Sequence, residues 1–372
     1  SKNGVAQAAG SVTTSAAGVL TKGTLSSASY TNITVTQNSC TSSAVSATVS
    51  DPAAPSISTT SSANPTTCTG TSGSFTLNGL LATTTYTLNY SKNGVAQTAV
   101  NVATNASGSL IMTGLSAGTY SNITVTLANC TSTAVGSITL SDPTPPVITA
   151  SNNGPICQGA TLTLSATTVT GATYSWSGPS AYTSTAQNPS RTAALPTYTG
   201  TYTVTAKLNN CTSTAVTTTA TVNATPATPT AGSNTPVCTG TSLNLTASSS
   251  TSGVTYTWSG PNTYSSSTQN PSISTVTTAA AGTYTVKATA NGCNSANATT
   301  TVVVNSTPAI SSTGSTNPST CGGTTGSITL NGLTATTTYT VNYTKNGTAI
   351  TPVSLTASAS GVITITTLSA GT

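Results

Sequence analysis

The chain has 372 residues but only two acids, Asp51 and Asp142, against seven bases (Lys2, Lys22, Lys92, Arg191, Lys207, Lys287 and Lys345), with no Glu and no His. General acid–base catalysis needs a group that titrates near the working pH, and zinc or calcium sites need imidazole, thiolate or several carboxylates. Such a composition argues against an enzyme, a metal site or a cofactor. A net charge of +5 with no Lys/Arg cluster also lacks the stripe that tracks phosphates, which argues against a nucleic-acid partner.

Low charge with abundant Ser, Thr and Gly could signal disorder, but Val, Ile, Thr and Tyr alternate with polar residues in short runs, which is the strand pattern. No apolar run is long enough for a membrane helix, and no secretory signal opens the chain. Eight cysteines at regular places imply an oxidising compartment.

The 40 residues from Ser1 to Cys40 recur without a gap as Ser91 to Cys130. A third copy begins at Thr344 and runs to Thr372, so both termini are expected to fall inside a repeat of a longer polymer. In chain order, residues 1–50 form a partial repeat of this first kind, type A, and 51–143 a complete one. Its runs TCTGTSGSFTLNGL, TYTLNYSKNG, GSLIMTGLSAGTY and NITVTLANCTS place Phe75, Leu77, Tyr86, Leu88, Tyr90, Leu110, Met112, Ile123, Val125 and Leu127 at period two, as in strands with one buried face.

Residues 144–225 and 226–307 are two copies of a second kind, type B, with Trp176 matching Trp258 and Tyr202 matching Tyr284. Residues 308–372 return to type A. Six or seven short strand signals per 80 to 90 residues predict an all-β chain of tandem Ig-like or fibronectin-III-like β-sandwiches in an extended array. The junctions SDPAAPS, SDPTPPV, NATPATPT and NSTPAI are proline-rich, and proline favours extended, stiff backbone, so successive domains should be held end to end.

Each complete repeat has one cysteine near its start and one after its Tyr-bearing strand. The spacing therefore predicts Cys68 with Cys130, Cys157 with Cys211, and Cys238 with Cys293, each bond stapling its own sandwich. By the same alignment the partners of Cys40 and Cys321 are expected before residue 1 and after residue 372.

Trp176 and Trp258 could stack on sugar rings, but a core tryptophan on the third strand is the favoured reading. The better candidates for contact are the Gly-Pro turns, namely Gly178, Pro179 and Tyr182 and their matches Gly260, Pro261 and Tyr264, because loops carry binding on rigid scaffolds. The GTY tyrosines should tie their hydroxyls to nearby backbone as a stability feature. Asp51 and Asp142 at the SDP junctions are too few for calcium and read as turn formers.

The motif TYxWSGPxxYxSxxQNPSxxxxxxxxxGTYTVxAxxNxC, at 173–211 and 255–293, resembles the Ig-like, PKD-like repeats of very large surface proteins of Bacteroidota. That resemblance implies export to the cell surface, by the type 9 system that such proteins commonly use, and a non-enzymatic stalk or fibre role in a large adhesin. Three alternatives stay open: glycan-binding modules, a self-assembling filament subunit, and the spacer region of a secreted polysaccharide hydrolase. The expected partners are neighbouring repeats of the same long chain, with surface glycans or other copies as further candidates.

Overall fold

The computed structural model describes residues 1–371. Among these the chain is all-β, with two single-turn 3₁₀ segments, Pro196–Tyr198 and Thr278–Ala280, and no α-helix. Contacts divide it into two compact units. The first comprises Ser1–Ser151, Leu164–Pro189 and Thr201–Thr218; the second comprises Asn152–Thr163, Ser190–Gly200 and the chain from Thr219 onward.

Within the first unit, residues 51–143 fold as two antiparallel sheets. One has three strands, with Gly73–Asn78 between Thr59–Ala63 and Leu110–Leu115. The other is built on the pair Thr85–Lys92 and Gly118–Leu127, with Val100–Ala103 on the outer side of the former and Ile138–Leu140 and Cys130–Thr131 on the latter. The period-two pattern drives this layering. Phe75, Leu77, Tyr86, Leu88, Leu110, Ile123 and Val125 all point inward and are at most 1% exposed, while Tyr90, Met112 and Leu127 pack at the margin of the same core. Also in this unit, Ala28–Ile33 pairs with Val45–Val49, and Thr36–Gln37 with Cys40–Thr41.

In the second unit, residues 226–307 use the same two-layer plan with different contents. Leu243–Ser248 lies between Thr230–Ser233 and Ser272–Ile273. Opposite stands a sheet in which Thr255–Gly260 pairs with Tyr264–Ser266 and with Gly282–Ala290. Ala298–Val302 and Cys293–Asn294 complete it on Gly282–Ala290. Trp258 fills the middle of the core, fully buried, with Leu243, Leu245, Tyr284 and Val286 around it. Residues 308–371 repeat the type A strands from Ser312–Thr316 to Ile363–Leu368 around Leu333, Ala357, Ile363 and Ile365.

Candidate functional site: disulfide clasps between repeats

The cysteines sit at the two ends of the sandwiches, and local sequence puts them there. Each late cysteine directly follows a two-residue hairpin turn in which both residues are left-handed: Asn38-Ser39, Ala128-Asn129, Asn209-Asn210 and Asn291-Gly292, with φ between 47° and 77°. Turns of this hand match the twist of the strands they join, and Asn and Gly tolerate the conformation best. The hairpin is then locked by the serine two residues on. Ser132, Ser213 and Ser295 are buried, and each hydroxyl accepts the backbone N–H of the facing strand residue: Val125 at 3.1 Å, Ala206 at 3.0 Å and Ala288 at 2.9 Å. Ser42 does the same for Val35 at 3.1 Å. These serines were not singled out from sequence, although a Cys-x-Ser triplet at all four late cysteines carries the signal.

Early cysteines lie at the other end, beside the segment through which their own repeat leads into the next. Cys157 is in parallel register with Asn223, and Cys238 with Asn305. In each case the following residue donates its N–H to that asparagine's carbonyl at 2.8 Å, from Gln158 and from Thr239. Cys68 lies with its Sγ 3.5 Å from the Pro143 carbonyl oxygen.

The bonds observed are Cys68–Cys211 and Cys157–Cys293. This corrects the expected pairings Cys68–Cys130, Cys157–Cys211 and Cys238–Cys293. The reason is distance. In the type A repeat, Gly118–Leu127 spans ten residues, about 33 Å at roughly 3.3 Å each. One end pairs with Leu140, just before the junction at Asp142–Pro143. At its other end Leu127 pairs with Cys130, whose Sγ is 3.3 Å from the carbonyl oxygen of Pro52 in the preceding junction. Cys68 and Cys130 therefore occupy opposite ends of one sandwich, whereas a disulfide needs Cα atoms within about 7 Å. Gly282–Ala290 separates Cys238 from Cys293 in the same way. Cys130 and Cys238, with Cys40 and Cys321, are unbonded among the described residues; Cys40, Cys238 and Cys321 are exposed.

Each bond closes a small polar joint. At the first, the Cys68 N–H donates to the Asn209 carbonyl at 2.9 Å, the Asn210 side-chain amide donates to the Cys68 carbonyl at 3.5 Å, and Cys211 Sγ lies 3.4 Å from the same Pro143 carbonyl. Asp142 accepts the Thr69 N–H at 3.2 Å, so this junction carboxylate is tied to the joint. At the second, the Asn223 amide donates to the Asn291 carbonyl at 3.0 Å, beneath Cys293.

The other candidates resolve differently. Trp176 and Trp258 are buried, their indole N–H groups donating to the Gln187 and Gln269 carbonyls at 3.2 and 3.1 Å, and so present no face to a sugar. Gly178, Pro179, Tyr182, Gly260, Pro261 and Tyr264 are half-buried in hairpin turns. A Cβ at Gly178 or Gly260 would come within 2.4 Å of the Tyr202 or Tyr284 ring, so glycine is required there by packing. Tyr182 and Tyr264 lie edge-on to those same rings, at 5.8 and 5.4 Å between centroids. The Tyr120 and Tyr284 hydroxyls donate to the Ser116 and Ala280 carbonyls at 2.8 and 3.0 Å, as the GTY pattern predicts. Burial raises the pKa of both phenols.

An Ig-like domain family, described as CHU_C associated, matches residues 226–308. No curated protein matches the chain. Among solved structures, Drosophila OTK extracellular domains 3–5 are 12% identical, with 69% of this chain and 98% of that one covered and a TM-score of 0.29. Three N-terminal domains of the bacteriophage RB49 outer capsid protein Hoc are 12% identical, covering 68% and 99%, with a TM-score of 0.28. Murine CEACAM1b is 14% identical, covering 42% and 100%, with a TM-score of 0.29.

Proposed function

We propose that this chain is a stalk or fibre region of a large bacterial surface adhesin, non-enzymatic and extracellular. It is built of Ig-like modules at 1–50, 51–143, 144–225, 226–307 and 308–372. The observation that carries this reading is the pairing of the cysteines: both bonds join one repeat to the next instead of closing a repeat on itself. A free-standing binding module gains nothing from a covalent bond to its neighbour, whereas a shaft gains resistance to bending and separation at the junction, its weakest point. The match of 226–308 to an Ig-like family supports the modules, and the resemblance of the type B motif to repeats of Bacteroidota surface proteins supports a surface role reached through type 9 export.

Small-angle X-ray scattering of the oxidised chain tests the proposal. At about 40 Å per sandwich, from roughly a dozen residues at about 3.3 Å each, the array should show a maximum dimension on the order of 160–200 Å. A compact particle would overturn it. Specific retention on a glycan array through the turns at Tyr182 and Tyr264 would replace it with a binding role.

A further inference from the structure

The two bonds overlap along the chain: Cys157 lies inside the loop closed by Cys68–Cys211, and Cys211 lies inside the loop closed by Cys157–Cys293. We infer that this overlap takes mechanical load off the proline-rich junctions and places it on the single stretch from Cys157 to Cys211, which is traversed backwards. A pull that enters at Cys68 can cross to Cys211, run back to Cys157 and cross to Cys293. Of the 225 residues that separate Cys68 from Cys293, only the 54 between Cys157 and Cys211 lie on that path, and 171 are shielded. The alternatives are longer, 89 residues by way of Cys68 to Cys157 and 82 by way of Cys211 to Cys293, so they stay slack at full extension. Both junctions, SDPTPPV and NATPATPT, lie on the slack routes. Even with every sandwich unfolded, the distance between Cys68 and Cys293 is limited to about 190 Å, against about 790 Å for the unbonded stretch, at roughly 3.5 Å per residue.

This reading takes its purpose from the stalk proposal but is tested separately, because the length of the unfolded chain does not depend on whether the folded chain is a rod. The full chain is tethered by its termini in an optical trap, stretched until no further unfolding occurs, then reduced under tension. Reduction should add about 600 Å of contour, the 171 shielded residues at roughly 3.5 Å each.

Variants distinguish overlap from separate loops. Cys211→Ser should shield only the 136 residues of the remaining loop, and Cys130→Ser or Cys238→Ser should change nothing. A shortfall of about 220 Å in Cys130→Ser, the 62 residues of a Cys68–Cys130 loop at roughly 3.5 Å each, would overturn the inference. So would no length gain on reduction. A second measurement keeps every cysteine in place: a protease site is introduced at Ala227–Thr228, and the oxidised chain is cut there. The halves should stay joined on a non-reducing gel and part only with reductant. Separation without reductant would equally overturn the inference.

Discussion

The type A repeat at 51–143 and the type B repeat at 226–307 differ inside and agree at their tips. Type A packs Phe75 against Tyr90 and Tyr120, at ring separations of 6.2 and 5.9 Å, and contains no tryptophan. Type B centres on Trp258 with an edge-on Tyr264–Tyr284 pair. Yet both end in the same left-handed two-residue turn, cysteine and buried serine, with hydrogen bonds that match to within 0.2 Å. A sandwich interior can be filled in many ways as long as volume and alternation are kept. The tip keeps its turn geometry, cysteine and serine while the interior changes, as expected where a bond to a neighbour has to be made.

The largest effect should come from the tip. Cys211→Ser opens a loop with a sequence separation of 143, and on the chain-entropy account should cost about 5 kcal/mol, read as a lower guanidinium midpoint. A midpoint that does not move would mean the bond only tethers. Next is the interior: Trp258→Ala removes the largest side chain of a closed core and should cost about 3–5 kcal/mol. The fluorescence of the remaining Trp176 and the circular dichroism of type A serve as unaffected references, and collapse of all signals together would show that interiors are coupled through the joints.

Ser295→Ala and Ser132→Ala each strand a buried backbone N–H, with an expected loss of about 1–3 kcal/mol. If the tips are equivalent, the two losses agree; a large effect in one type alone would refute the equivalence. The smallest effect is alkaline. Because Tyr120 and Tyr284 have phenol pKa values raised by burial, the unfolded chain ionises first. Their contribution to stability is complete below the ordinary phenol pKa of about 10 and is lost as pH rises through the higher folded values. Urea titrations at stepped pH should show this decline, reduced in Tyr120→Phe and Tyr284→Phe.

Much of the fold was legible because alternation and burial report the same thing: Leu77, Tyr86, Leu88, Ile123 and Val125 were predicted inward and lie inward. Trp176 and the GTY tyrosines likewise announce their places. Cysteine pairing was not legible, and the reason is periodicity itself. In a tandem array an early cysteine sees a late cysteine once per repeat, so sequence spacing fits a bond within the repeat and a bond to the next one equally well. Only the end of the sandwich at which each sulfur sits decides between them, and that depends on strand direction across the whole repeat. The serines behind the late cysteines were missed for a related reason: in a chain this rich in Ser, one more hydroxyl attracts no notice until its burial is seen.

Residues 144–225 hold one half of each of two joints, Cys157 facing forward to Cys293 and Cys211 facing back to Cys68. A further type B repeat could be spliced whole between 144–225 and 226–307, and each sulfur there would again meet a counterpart. A duplication that begins or stops mid-repeat would leave one without. The chemistry thus tolerates gain and loss of gene segments in whole-repeat steps, and copy number can drift while the covalent wiring stays intact.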